Sequence, residues 1–295
     1  MQKHGPVAEF PVQGKIVAIT GGGSGIGFAF ARLCHEHGAK VLIGDLSLVS
    51  QAKDFAASSD NIFFQKCDVT NWQDLHDLIS ASVERFGSVP DVYVPSAGVF
   101  EPSWSNFWDD NEENGYKLMR INVDHPIKFT RLAMRALAGA EKQGVVCLLA
   151  SGAGIRGHYL ASLYTASKHA VVGFAKSMGQ ADGEVGVKLV AVLPGIVQTP
   201  LWEDRDDDSA AWKVYLDLMK SALQPEDVAA LMLKMTESPD YGGGTCVLTM
   251  TNGDEIVVEE SFSKQAEKSG SAPKLEPDLK RIRDLLESER GKRWA

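Results

Sequence analysis

The sequence predicts a doubly wound α/β fold, with one parallel sheet and helices on both faces. Three observations carry this. Apolar, strand-like runs alternate with helical stretches from residue 15 to about 250. The runs are almost continuously apolar, which requires both faces of each strand to be covered. A glycine-rich turn, "TGGGSGIG" (20–27), joins the first run to the first helical stretch. Regular β–α alternation brings right-handed crossovers. No internal repeat stands out, so residues 1–260 read as one domain.

The elements follow in order. "KIVAIT" (15–20) is a β-branched run that ends in glycines. "IGFAFARLCHEHG" (26–38) has helical spacing and stops at Gly38. "KVLIGD" (40–45) is the second strand. After a helical stretch, "NIFFQKCDV" (61–69) is the third. "WQDLHDLISASVERFG" (72–87) reads as a helix closed by Gly87. "DVYVPSAG" (91–98) is a strand with a turn, and 114–137 is a long stretch with an apolar face. "GVVCLLAS" (144–151), a helix over 165–179, "VKLVAVLPG" (187–195) and "TCVLTM" (245–250) complete the sheet. Two segments depart from the pattern. Residues 198–222 mix an acidic run (203–208) with Trp202, Trp212 and Tyr215, and read as a substrate lid. Residues 261–295 hold a polar linker and then a charged, helix-like end. This C-terminal extension is expected to be disordered or to contact another subunit.

A net charge of −9 argues against duplex nucleic acid and anionic membrane surfaces, which attract clustered Lys and Arg. Cys34, Cys67, Cys147 and Cys246 are far apart in sequence. They form no C-x-x-C and give no support to a metal site or disulfide framework. Buried free thiols in a reducing compartment fit better. The N-terminus lacks an apolar core of signal-peptide length, and no run approaches a membrane span. The expected location is cytoplasmic.

Gly21, Gly25 and Gly27 are spaced G-x-x-x-G-x-G between a strand and a helix. Glycine permits a tight turn and lets backbone N–H groups approach a pyrophosphate. The helix N-terminus behind them favours an anion. Asp45 ends the second strand, 18 residues after Gly27. Its carboxylate can accept bonds from the adenosine ribose and would repel a 2′-phosphate. No Arg or Lys stands at 22–24 or 46–48 to offset that repulsion. The expected cofactor is therefore NAD. Asp68, at the end of the third strand, is well placed for the adenine; a turn residue at a strand end is the alternative for both acids, and it weighs more for Asp68.

Tyr164 and Lys168, at i and i+4 in "YTASK", share one helix face. A phenol titrates near ~10, too high for a base at neutral pH. A nearby ammonium lowers that value. Ser151, at the C-terminal end of a strand, stands where ligands gather in open α/β sheets.

The glycine turn, Asp68, "SAG" (96–98), Asn122, Ser151, "YTASK" and "PG" (194–195) occur in the order seen in short-chain dehydrogenases/reductases. The chain resembles that family over residues 14–258. The resemblance implies a Rossmann-like fold. It implies catalytic roles for Asn122, Ser151, Tyr164 and Lys168, with Tyr164 as general base and Asn122 supporting a water-linked relay to Lys168. It implies cofactor contacts from Gly21, Ser24, Gly25, Ile26, Gly27, Asp45, Asp68, Val69, Ala97, Gly98, Tyr164, Lys168, Pro194, Gly195, Ile196 and Thr199. The chain departs from the family at Pro95-Ser96, where relatives usually carry two asparagines. Pro95 removes a backbone donor, so altered local bracing is expected.

"YTASKHAVVGF" and the ending "VLTMTNGDEIVVEE" loosely resemble the NAD-linked 15-hydroxyprostaglandin dehydrogenases and fungal-type relatives within that family. This implies oxidation of a secondary alcohol on a fairly apolar molecule. Ser151, His158 and Trp202 are the candidate substrate contacts. Leu201, Trp212, Tyr215 and Met219 either line an apolar cleft or pack the lid onto its own domain. The family also implies a homodimer or homotetramer built on 114–137 and 165–179, where Ala166, Ala170 and Gly173 permit close helix approach. Two alternatives stand beside the dehydrogenase: a ketone or enone reductase using the same site, and a non-catalytic NAD-binding scaffold.

Overall fold

A computed structural model of the chain describes residues 5–202, 219, 221–251, 253–258 and 276–294. Its centre is an eight-stranded sheet in the order β3-β2-β1-β4-β5-β6-β7-β8. The strands are β1 (Ile16–Thr20), β2 (Lys40–Asp45), β3 (Ile62–Lys66), β4 (Val92–Pro95), β5 (Gly144–Leu149), β6 (Val187–Pro194), β7 (Cys246–Thr249) and β8 (Glu255–Val257). The first seven pair in parallel, and β8 pairs antiparallel with β7. The predicted doubly wound sheet is present. The expected strands are shorter at their ends, and β8 is an addition at the edge.

Successive strand residues point to opposite faces. Val17, Ile19, Val41, Ile43, Val92 and Val94 join one core with Phe30 and Cys34 of α1 (Gly25–Glu36). The α8 helix (Pro225–Glu237) covers the same face through Val228, Met232 and Met235. Ala18, Leu42, Tyr93, Val146 and Leu189 face the other way. There they meet α3 (Trp72–Phe86), α5 (His125–Gly139) and α6 (Ser162–Ser177). The smaller helices are α2 (Ser50–Ala57), α4 (Lys117–Met119) and α7 (Ala181–Val185). Gly87 ends α3 at φ 79°, as its sequence implied.

The stretch read as one helix over 114–137 is divided. The short α4 runs into a π-helical turn at Arg120–Asp124, and α5 follows. Pro95 ends β4 opposite Thr20 of β1. Its missing donor does not touch the β1 ladder, because the β1-facing N–H at this point belongs to Ser96, which donates to the Thr20 carbonyl at 3.1 Å; the paired register with β5 ends earlier, at Tyr93.

The described end of the chain, α9 (Glu276–Glu289) and the residues to Trp294, lies against its own domain. Leu286 is buried in the core that α5 shares. Arg131 of α5 clasps Glu289 at 2.9 and 2.5 Å, and Arg283 meets Glu184 at 2.5 Å. The Trp294 ring stacks on His76 at 4.5 Å.

The order β3-β2-β1-β4 places the reversal of winding between β1 and β4. A crevice opens beyond their C-terminal ends, which is where ligands bind in such sheets.

Candidate active site

One cavity of about 470 Å³ fills that crevice. The glycine turn forms its wall next to β1. Gly21 has φ 68°, and a Cβ there would stand 2.5 Å from the Ala97 backbone. A Cβ on Gly27 would overlap the Gly21 carbonyl. Only a turn without side chains lies this flat on the strand end. Ser24 is the N-cap of α1 but makes no side-chain cap bond, so first-turn amides remain for an anion.

Asp45 lies further along the same cavity with Leu46. Its carboxylate accepts from Gly23 N–H at 2.8 Å and Leu46 N–H at 2.7 Å. These bonds brace the turn and leave acceptor capacity, because a carboxylate has about four lone-pair sites. Asp68 and Val69 follow at the end of β3. Burial raises the Asp68 carboxyl, but it is outweighed: the Thr70 amide and hydroxyl, with Lys117 and Arg120, hold the group below its usual range. A flat glycine wall, an open helix N-terminus and an acid at the far end fit a dinucleotide.

The other half of the cavity brings together Ser151, Tyr164 and Lys168. Ser151 follows β5, and its hydroxyl accepts from Ala153 N–H at 3.2 Å. Tyr164 and Lys168 enter from the first turns of α6. Lys168 is buried, donates to the Leu149 carbonyl at 2.9 Å, and has its Nζ 5.5 Å from the centre of the Tyr164 ring. Burial pushes the Lys168 ammonium down to about 8. A cation held that close favours the phenolate. Phe100 packs on Tyr164 at 4.7 Å and on Trp202 at 4.8 Å, making an aromatic wall opposite.

Asn122 lies one layer beneath, on the π-turn, and does not line the cavity. Its Oδ1 accepts from Val99 N–H and its Nδ2 donates to the Val99 carbonyl, both at 2.9 Å. Nδ2 also reaches Ser167 Oγ at 3.1 Å, and Ser167 donates to the Tyr164 carbonyl at 2.7 Å. Asn122 thus ties the loop after β4 to the helix that carries Tyr164.

Gly21, Ser24, Gly25, Ile26, Gly27, Asp45, Asp68, Val69, Ala97, Gly98, Ser151, Tyr164, Lys168, Pro194, Gly195, Thr199 and Trp202 all line this cavity. Ile196 does not; Val197 and Leu201 do. His158 is half-buried away from it, held below its usual range by burial and by Arg156. Trp212, Tyr215 and the acidic run 203–208 lie outside the described residues. Sequence reading missed Phe100, Trp104 and Lys117 in the wall. The aromatic run "FEPSWSNFW" (100–108), directly after the glycine turn at 98, was the available signal.

A cleft with a phosphate-ready glycine turn at one end and Ser, Tyr and Lys at the other defines a nucleotide-dependent oxidoreductase. The model of the short chain dehydrogenase family matches residues 15–210, and the chain belongs to that family. It is 38% identical to short-chain dehydrogenase reductase 3c of Arabidopsis thaliana over 192 residues, 64% of this chain and 73% of that one. It is 32% identical to momilactone A synthase of Oryza sativa subsp. japonica, covering 84% of this chain and 92% of that one. Against 15-hydroxyprostaglandin dehydrogenase [NAD(+)] of Mus musculus the identity is 29%, over 82% and 92%.

Proposed function

We propose that the protein is an NAD-dependent dehydrogenase that oxidises a secondary alcohol on a fairly apolar small molecule to a ketone. The observation that carries this is one shared cavity. Ser151, Tyr164 and Lys168 open onto the same space as the glycine turn and Asp45. When bound, the nicotinamide supplies the hydride acceptor. Tyr164, as phenolate, takes the hydroxyl proton of the substrate, and Lys168 keeps the phenolate accessible near neutral pH. Ser151 hydrogen-bonds the same oxygen as charge shifts onto it. Phe100, Trp104 and Trp202 give the substrate an apolar wall.

Asp45 supports NAD over NADP, since a 2′-phosphate would meet its carboxylate. A relative whose name specifies NAD(+) supports the same choice. Four cysteines, all free and buried, support a reducing, cytoplasmic location. Among the described residues, no helix is long and apolar enough to cross a membrane. Small residues on the outer side of α6, with Ala166 and Gly173 exposed, support a homodimer or homotetramer.

Titration with NAD and NADP, followed by a panel of secondary alcohols read by absorbance of the reduced cofactor, tests the reading. NAD should bind more tightly and be reduced. Tyr164→Phe should lower turnover by about 10²–10⁴-fold while NAD affinity stays within a few-fold. A preference for NADP would overturn the role given to Asp45. Tight NAD binding with no turnover in either direction would favour the scaffold.

A further inference from the structure

Glu101 stands three residues after Gly98 and is only 4% exposed. Its backbone has φ 39°, a left-handed conformation that costs a non-glycine residue of order 1 kcal/mol or more. One carboxylate oxygen accepts from the Tyr164 N–H at 3.0 Å, across 63 residues of sequence. The other faces the Phe107 N–H at 3.4 Å. Meanwhile α6 starts at Ala161, an N-cap with no side-chain cap bond. Tyr164 is the third residue of that helix, the position whose amide an N-cap side chain ordinarily satisfies. A distant acid fills the place of the missing cap. A carboxylate is also the group best suited to a helix N-terminus. Glu101 follows Phe100, whose ring packs on the Tyr164 ring. Backbone and ring of Tyr164 are therefore held from the same loop.

We propose that Glu101 is a positioning residue for Tyr164: its buried carboxylate holds the first turn of α6 against the loop after β4, and so fixes where the phenol stands in the cavity. This rests on Tyr164 being the base of the proposed dehydrogenase.

A negative charge here also opposes ionisation of the phenol, against the pull of Lys168. Elements packed against α6 carry other ionisable groups: Lys117 on α4, Arg120 and Asp124 on the π-turn, His125 on α5, and Lys188 on β6. Arg156, His158 and Tyr159 precede the helix. All of them stay in place in the variants, so a difference between variants reports Glu101.

The test uses Glu101→Gln, which keeps an acceptor but loses the charge, and Glu101→Ala, which loses both. The Tyr164 phenol is titrated by ultraviolet absorbance in each background, as the difference from the matching Tyr164→Phe protein. That isolates one of six tyrosines without any need for turnover. Glu101→Gln should lower the Tyr164 midpoint by about 0.5–1 pH unit. The acid-side limb of kcat/KM for alcohol oxidation should move with it, and kcat should stay within a few-fold. Glu101→Ala should lose about tenfold or more in kcat, with NAD affinity unchanged, and Gln should restore it. An unmoved midpoint in Glu101→Gln, or an unchanged kcat in Glu101→Ala, overturns the proposal. A moved midpoint in a protein with no turnover would keep Glu101 beside Tyr164 and remove the dehydrogenase reading instead.

Discussion

His125 opens α5 fully buried, between the Ile121 carbonyl, 3.1 Å from Nδ1, and the Thr20 hydroxyl, 2.8 Å from Nε2. A carbonyl only accepts, so Nδ1 carries the proton and Nε2 accepts from Thr20. Burial pushes this imidazole down to about 4, against the pull of the Ile121 bond, and the charge on Lys168 adds to the fall. An unfolded histidine titrates near ~6.5. Between those values the unfolded chain binds a proton that the native state refuses. Stability is therefore intact above about 6.5 and drains away as pH falls toward 4, by about 3 kcal/mol over the window. Urea unfolding of wild type and His125→Asn at a series of pH values reads this directly. The variant should show a flatter dependence between 6.5 and 4, and parallel curves would exclude His125 as the source. Nothing in "RINVDHP" marked this residue. A histidine's burial is decided by what packs over it, and that is not a property of its neighbours in sequence.

At the scale of elements, the strands and the glycine turn were legible because each carries a local signature. Continuous apolar runs demand cover on both faces, and clustered glycines demand a turn. The break inside 114–137 was not legible, because its apolar face continues through the π-turn. The bulge is paired with bonds between distant segments, from the Asn122 amide to both backbone groups of Val99. The β8 strand also escaped notice. It has three residues, all exposed, with no alternation to read. The α8 helix was passed over as well, although a proline follows its N-cap Gln224 and Asp227 closes a capping box with it, so a local signal was present at its start. The Asn122 bonds make their own prediction. Asn122→Ala removes the partner of an N–H and a C=O at once, and each partly buried group left alone costs about 1 kcal/mol or more. A loss of about 2 kcal/mol in denaturant unfolding should come with weaker binding of the nicotinamide cofactor, because Gly98 and Val99 form the cavity wall. Full stability in the variant would show that the loop after β4 holds its shape without Asn122.

Over the whole molecule, the convergence of the glycine turn, Asp45 and Asp68 on one cavity was readable because these residues follow strand ends, and the fold class places strand ends together. The aromatic wall depends on loops whose paths no periodicity encodes: Phe100 meets Trp202 from about a hundred residues away. The tail presents the same difficulty. Its composition left disorder and subunit contact open, whereas α9 is seated on its own α5. Two kinds of contact hold it there, and they differ in strength. The ion pair of Glu289 with Arg131 is partly exposed, and such pairs contribute about 0–1 kcal/mol. Leu286 is buried beside Met134, Leu137 and Val187, and deleting a buried leucine side chain costs about 2–5 kcal/mol where it stays covered. Apolar seating should therefore dominate. Leu286→Ala should lower the free energy of unfolding by about 2 kcal/mol. Glu289→Gln should lower it by less than about 1 kcal/mol and lose that effect in high salt. Thermal or urea unfolding of the full chain measures both. The tail's partners His76, Ser80, Arg131 and Glu184 do not line the cavity, so affinity for the nicotinamide cofactor should stay at the wild-type value in each variant. A larger loss from Glu289→Gln than from Leu286→Ala would mean that charge, not burial, keeps the tail in place.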